Sequence, residues 1–398
     1  MNPAGDRPDA ILQRVLLLLA PAIAMVVGTE FIVVGLLPRM AADLDLPLAT
    51  AGQLTAWFAL AAAVAGPFVT LVASRRAPRA VLIVVLLLYA AGNAVVAITS
   101  SFVWMLVARI AQGAMLPAFI SVGAAEVARL AAPDARGQAL ARANLGFVLG
   151  VLMALPAGIA LAQRVDWRLP FGVLAVAPVL MAGGIAALFP RSHTQASAPA
   201  AHAPGLLRNG VFVAHLLLSV VLFAAMFSAY TFLGVWLERV MGLDGDGVAL
   251  ALLVFGAVGL AGNSLAGRVA DRAPLRATVV AVLVLAVSVN AATWSHGLLA
   301  AAVPLALWSL THTAGVTLSQ VRVTLAGAGA PAFAMTLNVS AANLGISLGA
   351  LAGGWAIDRW SLSALGVIPA ILAVLVGTLA YGIDTARNLR MRGEPCRR

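Results

Sequence analysis

Lysine is absent from this chain, and all 25 basic residues are arginine. We read that absence as coding bias, not as a lipid-binding device, although arginine and lysine are not chemically interchangeable. Cysteine is almost absent. Cys396 stands alone, which excludes an intrachain disulfide, a CxxC pair and a thiolate metal cluster. Charge is scarce too. Charged residues make up 10% of the chain and hydrophobic ones 62%, with a mean hydropathy of +1.00. Soluble domains carry about one-quarter charged residues, so the composition describes an integral membrane protein of many helices. No GxxxxGK[ST] phosphate loop is present, which argues against ATP as the driving force. The formal net charge of +10 does not indicate nucleic acid, because the arginines sit in short links between apolar runs.

Those apolar runs number twelve, at roughly 14–37, 48–72, 80–98, 102–127, 139–162, 169–189, 211–237, 246–270, 277–295, 297–321, 335–356 and 363–384. A spanning helix needs about 20 apolar residues, and each run approaches or exceeds that. The first run contains a signal-like Ala22-Ile23-Ala24, yet it continues unbroken to Leu37. That is too long for a signal core, so we expect a retained first helix. The longest link, Pro190 to Gly210, is rich in Ala, Ser, Pro and His. It reads as a flexible cytoplasmic linker between a six-helix bundle at 1–189 and a second at 211–398 that ends in a short cytoplasmic tail.

Arginine placement predicts the topology. With a cytoplasmic N-terminus, nineteen arginines fall in cytoplasmic segments, Arg322 among them, and five fall outside. Arg109 lies within a helix. The bias predicts that both termini are cytoplasmic. An internal repeat supports the two halves. Thr70-Leu-Val-Ala-Ser74-Arg75-Arg76-Ala-Pro-Arg79 follows the second run, and Gly267-Arg-Val-Ala-Asp271-Arg272-Ala-Pro-Leu-Arg276 follows the eighth. Glycines four apart recur as Gly146 and Gly150 in the fifth run, and as Gly345, Gly349 and Gly353 in the eleventh. That spacing places small residues on one helix face, where backbones can approach.

Four segments in order resemble the major facilitator superfamily, and in particular its bacterial drug:proton antiporter branch with its arabinose-efflux-permease-like members. They are Gly28-Thr-Glu30-Phe31 with Gly35-Leu-Leu-Pro38, Leu106-Val-Ala-Arg109-Ile-Ala-Gln112-Gly113, Gly262 through Arg272, and Leu337-Asn338 through Asn343 to Gly354. The resemblance covers nearly the whole chain. It implies an all-α membrane fold of twelve transmembrane helices in two pseudo-symmetric six-helix bundles. It also implies a bacterial inner membrane, alternating access, a small-molecule substrate, and a proton gradient in place of any cofactor or metal. We expect one chain to act as a monomer, with no nucleic-acid partner. Two departures stand out. Thr70 and Ser74 replace the Gly and Asp usual after the second helix, so any acid-based lock shifts to Asp271. Ala154-Leu155-Pro156-Ala157-Gly158 keeps Pro156 and Gly158 of the fifth-helix antiporter motif but lacks its first glycine.

Ionisable residues inside membrane helices are costly and usually functional. Glu30 lies about seven residues from the outer end of its helix, roughly 10 Å of rise, and Arg109 lies as far from the outer end of its own. We expect the two to approach as a proton-coupling pair. Burial favours the neutral acid, and a neighbouring guanidinium favours the carboxylate. A permanent structural ion pair is the alternative. Phe31, Gln112, Asn144, Tyr230, His312, Asn338 and Asn343 are the candidates for the substrate cavity. The resemblance places Asn144, Asn338 and Asn343 on helices that border it, the aromatics suit an apolar pocket, and His312 can titrate near neutral pH. Helix-to-helix hydrogen bonding is the plain role for the amides and for His312. The resemblance assigns Arg75, Arg76, Arg79, Glu126, Gly267, Asp271, Arg272 and Arg276 to a cytoplasmic gating motif, with a solvated helix end as the alternative for Glu126. Phe31, Trp57, Phe58, Phe119, Phe227, Tyr230, Trp236 and Trp308 suit the lining of an apolar pocket, and aromatics near helix ends, Trp236 among them, are expected more often to anchor the interface.

Function is thus expected to be proton-coupled efflux of a drug, sugar or metabolite. An uncoupled facilitator or an importer is the alternative within transport. A membrane-embedded enzyme would need clustered nucleophiles, metal ligands or paired carboxylates, and a sensor would need a soluble output domain.

Overall fold

The structure, a computed structural model, describes residues 8–132, 136–190, 203–270 and 272–393. The described residues are helical, with no strand among them. Contacts sort the chain into two compact units. One comprises Met1–Ser197 with Leu243–Leu253, and the other Ala198–Gly242 with Val254–Arg398.

In chain order the helices are α1 (Pro8–Asp43), α2 (Leu48–Val64), α3 (Gly66–Ala73), α4 (Pro78–Ile98), α5 (Phe102–Leu130), α6 (Arg136–Arg164) and α7 (Arg168–Leu188). They continue as α8 (Ala203–Leu207), α9 (Gly210–Tyr230), α10 (Leu233–Arg239), α11 (Gly245–Ala270), α12 (Pro274–Thr293), α13 (Leu298–Ala326), α14 (Pro331–Trp360) and α15 (Val367–Gly393). Helix is the form in which an apolar segment satisfies its own backbone without water. Proline opens α4 and α12, where the missing N–H has no intrahelical partner to lose. Among the described residues, eleven spans are long and apolar enough to cross a bilayer, and α2 with α3 makes a twelfth when the bent pair is taken as one span.

That twelfth span is not the single straight run its hydropathy predicts. It bends by 51° between Val64 and Gly66. Pro67 removes an N–H from the helical ladder there. Gly66 is pressed against the ring of Pro117 on α5, and a Cβ in its place would overlap that ring. A second interruption falls at Thr231 and Phe232, between α9 and α10.

Each unit is built on a pair of closely packed helices, and the two pairs share a register. In the first, Gly146 and Gly150 of α6 admit the carbonyls of Ala20 and Ala24 on α1. In the second, Gly345, Gly349 and Gly353 of α14 admit those of Val220, Ala224 and Ser228 on α9. Small residues are what allow backbones this close. A second likeness is polar. Asn93 of α4 donates to the Leu174 carbonyl of α7 at 3.0 Å, and Asn290 of α12 donates to the Gly366 carbonyl beside α15 at 2.9 Å. The repeat therefore extends from the loops into the amides that join matching helices.

Candidate functional site

In the first unit, α1 carries Glu30 and α5 carries Arg109, 6% and 1% exposed. The helices meet at this level, but the contact differs from the expected pairing of side chains. Arg109 Nη1 donates to the Thr29 carbonyl at 2.7 Å and Nη2 to the Glu30 carbonyl at 3.0 Å. Its Nε reaches the Leu54 carbonyl of α2 at 3.4 Å, and the guanidinium lies 4.3 Å from the centre of the Phe58 ring. Among the described residues, the Glu30 carboxylate accepts no hydrogen bond and forms no ion pair. The static ion pair is therefore not what holds these helices. A planar fork matches two successive carbonyls, and it satisfies a buried guanidinium without burying a second charge against it.

Gln112, expected against the cavity, is wholly buried between α4 and α5 instead. Its Nε2 donates to the Tyr89 carbonyl at 3.1 Å and to Asn93 Oδ1 at 3.3 Å, and Tyr89 Oη donates back to the Gln112 carbonyl at 2.9 Å. Asn93 also reaches Thr29 Oγ1 at 3.1 Å. This network ties α1, α4 and α5 together one residue before Glu30. Phe31 is buried on α1. Pro156 is buried within α6, and Gly158 faces Ile32 of α1. The side chain of Asn144 lies outside the described residues.

Toward the other end of α5, Glu126 is buried and held bidentately by Arg129, with Nη2 at 2.6 Å and Nε at 2.9 Å. Arg79 donates to the Ala186 carbonyl of α7. Arg75 and Arg76 are exposed in the turn before α4. In the second unit Arg272 and Arg276 are exposed, and Gly267 has open space where a Cβ would stand. Asp271 lies outside the described residues.

The second unit gathers rings. His312 of α13 is 6% exposed, with its ring centre 4.5 Å from that of Tyr230 and 5.2 Å from that of Phe227, both on α9. Phe255 of α11 lies 5.8 Å from Tyr230 and 5.7 Å, edge-on, from Trp308. His312 Nδ1 and Trp308 Nε1 are buried without a hydrogen-bond partner among the described residues. Trp236, expected at the membrane interface, is fully buried in α10. Asn343 Nδ2 bonds back to the Val339 carbonyl at 3.0 Å, and its Oδ1 is buried and unpartnered.

Asn338 belongs to a different group, which the sequence reading missed. Arg322, expected in a cytoplasmic segment, lies inside α13 and is 1% exposed. Its Nη1 donates to His215 Nδ1 at 3.0 Å and to the His215 carbonyl at 2.7 Å, and Nη2 donates to Ser219 Oγ at 2.8 Å. Ser219 Oγ lies 3.2 Å from Ser319 Oγ, which donates to Asn338 Oδ1 at 2.9 Å. No acid pairs with Arg322 among the described residues. The available signal was spacing: Ser319 and Arg322 are three apart on α13, and His215 and Ser219 are four apart on α9, so each pair shares a face.

Residues 19–330 match the Major Facilitator Superfamily. The chain belongs to that superfamily. This transporter is 30% identical over 388 residues to a chloramphenicol resistance protein of Streptomyces lividans, covering 93% of this chain and 97% of that one. It is 28% identical over 370 residues to the inner membrane transport protein YdhP of Escherichia coli (strain K12), covering 91% and 95%. Among solved structures, a bacterial homologue of the human lysosomal transporter Spinster superposes with a TM-score of 0.80 at 16% identity, covering 96% of this chain and 99% of that one. The nucleoside transporter NupG superposes with a TM-score of 0.75 at 12% identity, covering 93% and 99%. Those two likenesses concern the fold alone. The relatives are transporters and not enzymes, and this transporter is a multi-pass membrane protein.

Proposed function

We propose that this transporter exports a small organic compound in exchange for protons, by alternating access. One observation carries the reading. Glu30 is an acid inside a spanning helix, and the arginine beside it is occupied by backbone carbonyls. Such an acid gains and loses a proton without breaking a salt bridge. Arg109 acts here as a positioning residue that fixes the backbone on which Glu30 sits. The outward direction is supported by the 30% identical relative, named for chloramphenicol resistance. The proton gradient is the energy source, and a monomer in the inner membrane is the working form. Both termini face the cytoplasm on this reading. Moving Arg322 into a helix leaves eighteen arginines against five, still a strong bias.

Phe31, Asn144, Tyr230, His312 and Asn343 are assigned to the substrate path. Gln112 and Asn338 are assigned to helix packing, because their amides are engaged between helices. The loops around Arg75, Arg76 and Arg79, and around Gly267, Asp271, Arg272 and Arg276, are assigned to inner gating together with Glu126. The test is flux of radiolabelled chloramphenicol in proteoliposomes under an imposed pH gradient. Uptake driven by the gradient and abolished by Glu30→Gln is expected. Flux that ignores the gradient and survives Glu30→Gln sinks proton coupling and leaves an uncoupled facilitator.

A further inference from the structure

The glycine contacts supply a register between the two units. Gly150 meets Ala24 on α1, and Gly349 meets Ala224 on α9. Counting six residues onward from each alanine reaches Glu30 in one unit and Tyr230 in the other. The position that holds an acid in the first unit thus holds a neutral ring in the second.

Around Tyr230 the neighbours are rings as well. Phe227, Phe255, Trp308 and His312 complete a cluster drawn from three helices. None of Tyr230, Phe255, Trp308 and His312 pairs with a charged side chain among the described residues. Tyr230 is also the last residue of α9, immediately before the interruption at Thr231 and Phe232. The Tyr230 hydroxyl and His312 Nε2 make no hydrogen bond among the described residues, and His312 Nδ1 and Trp308 Nε1 are buried without one. Polar atoms left open within an apolar ring cluster fit a ligand that brings one or two hydrogen-bonding groups on a flat apolar body.

We propose that this cluster is the subsite for an uncharged aromatic group of the exported compound. The two halves of the chain then divide the work, with the proton on α1 and the passenger's ring on α9 and α13. The incoming ring stacks at the edge marked by Tyr230 and His312, and its polar substituent meets the open imidazole nitrogen or the tyrosine hydroxyl. Aromatic stacking in offset or edge-on geometry selects flat solutes, and no acid among the described residues pairs with these rings to hold an aromatic cation. This assignment rests on the export reading above, since it names the passenger of that export.

The experiment is equilibrium dialysis on the purified full-length protein in detergent, with coumarin as the neutral aromatic probe, ethidium as the aromatic cation and arabinose as the uncharged sugar. Coumarin is expected to bind more tightly than the other two. Phe255→Leu and His312→Ala are each expected to weaken it by about tenfold, the scale of one lost ring contact with its buried area. His312→Phe, which keeps the packing, separates loss of fold from loss of the polar contact, and thermal unfolding of every variant is measured alongside. Preferential binding of arabinose or ethidium overturns the proposal. So does coumarin binding that changes by less than about twofold in folded Phe255→Leu and His312→Phe proteins. Dialysis needs no gradient, so it reads coumarin binding separately from proton coupling. Normal binding with no proton-driven flux in the native protein sinks the export reading and keeps the subsite. Proton-driven flux of chloramphenicol with no ring-dependent binding does the reverse.

Discussion

Replacing Gly349 by alanine isolates the seam between α9 and α14. The new Cβ would stand 2.5 Å from the Ala224 carbonyl oxygen and 3.0 Å from both Ala224 Cα and Ser228 N. All three are backbone atoms, so no rotamer change relieves them. Carbon contacts are comfortable at about 3.5 Å, so the helices must part by about 1 Å. Such overpacking costs about 1–3 kcal/mol. Alanine recovers up to about 1 kcal/mol of helix propensity, which leaves a net loss of about 0–2 kcal/mol against the native protein and about 1–3 kcal/mol against an alanine elsewhere in a helix without the clash. For a unit of this size each kcal/mol moves Tm by about 2–4 °C, so Gly349→Ala should melt about 2–12 °C below such a control. Gly377→Ala is the matched control in the same unit, because a Cβ there has nothing within 4 Å. Its Tm should hold or rise slightly. Thermal unfolding in detergent, followed by fluorescence-detected size exclusion, reads both. A Gly349→Ala protein that melts with or above Gly377→Ala would refute the close-approach account of this seam.

Asn93→Leu and Asn290→Leu each remove an amide that bonds a carbonyl on the partner helix. Each should lower stability by about 0.6–2 kcal/mol per interhelical polar contact, with the larger loss at Asn93, which also gives up its bonds with Thr29 and Gln112. Arg109→Lys keeps the charge but loses the fork across Thr29 and Glu30. Gradient-driven transport should fall about tenfold or more while the protein still folds, and native flux in this variant would remove Arg109 from the positioning role. Arg322→Met removes the donor that His215 and Ser219 accept between α9 and α13, so stability should fall by about 1–3 kcal/mol, and an unchanged Tm would show that this group does not hold the two helices together.

The spans were legible because lipid permits few backbone solutions, and composition reports them directly. The bend at Gly66 was not. Hydropathy is the same on either side of it; Gly66-Pro67 is a local signal that a run of apolar residues hides, and the close approach of Pro117 from another helix is visible only in three dimensions. Arg322 was misplaced for a related reason. A charge after Gln320-Val321 looks like the end of an apolar run, yet α13 continues to Ala326 because His215 and Ser219 on α9 accept the guanidinium. At Glu30 and Arg109 the depth followed from counting residues along helices of fixed rise. The atoms that meet did not, since the choice between a carboxylate and two carbonyls depends on side-chain rotamers set by neighbours such as Phe58.

An arginine satisfied by carbonyls keeps its charge whether or not Glu30 is protonated, so a proton taken up at Glu30 changes the local charge by a full unit. On the proposed exchange of one proton for one uncharged passenger, each cycle moves one net charge through the membrane. Membrane voltage enters the driving force, at about 2.3 kcal/mol per 100 mV for each charge. An inside-negative potential imposed with potassium and valinomycin, at equal pH on both sides, should therefore draw protons inward and drive export without any pH difference.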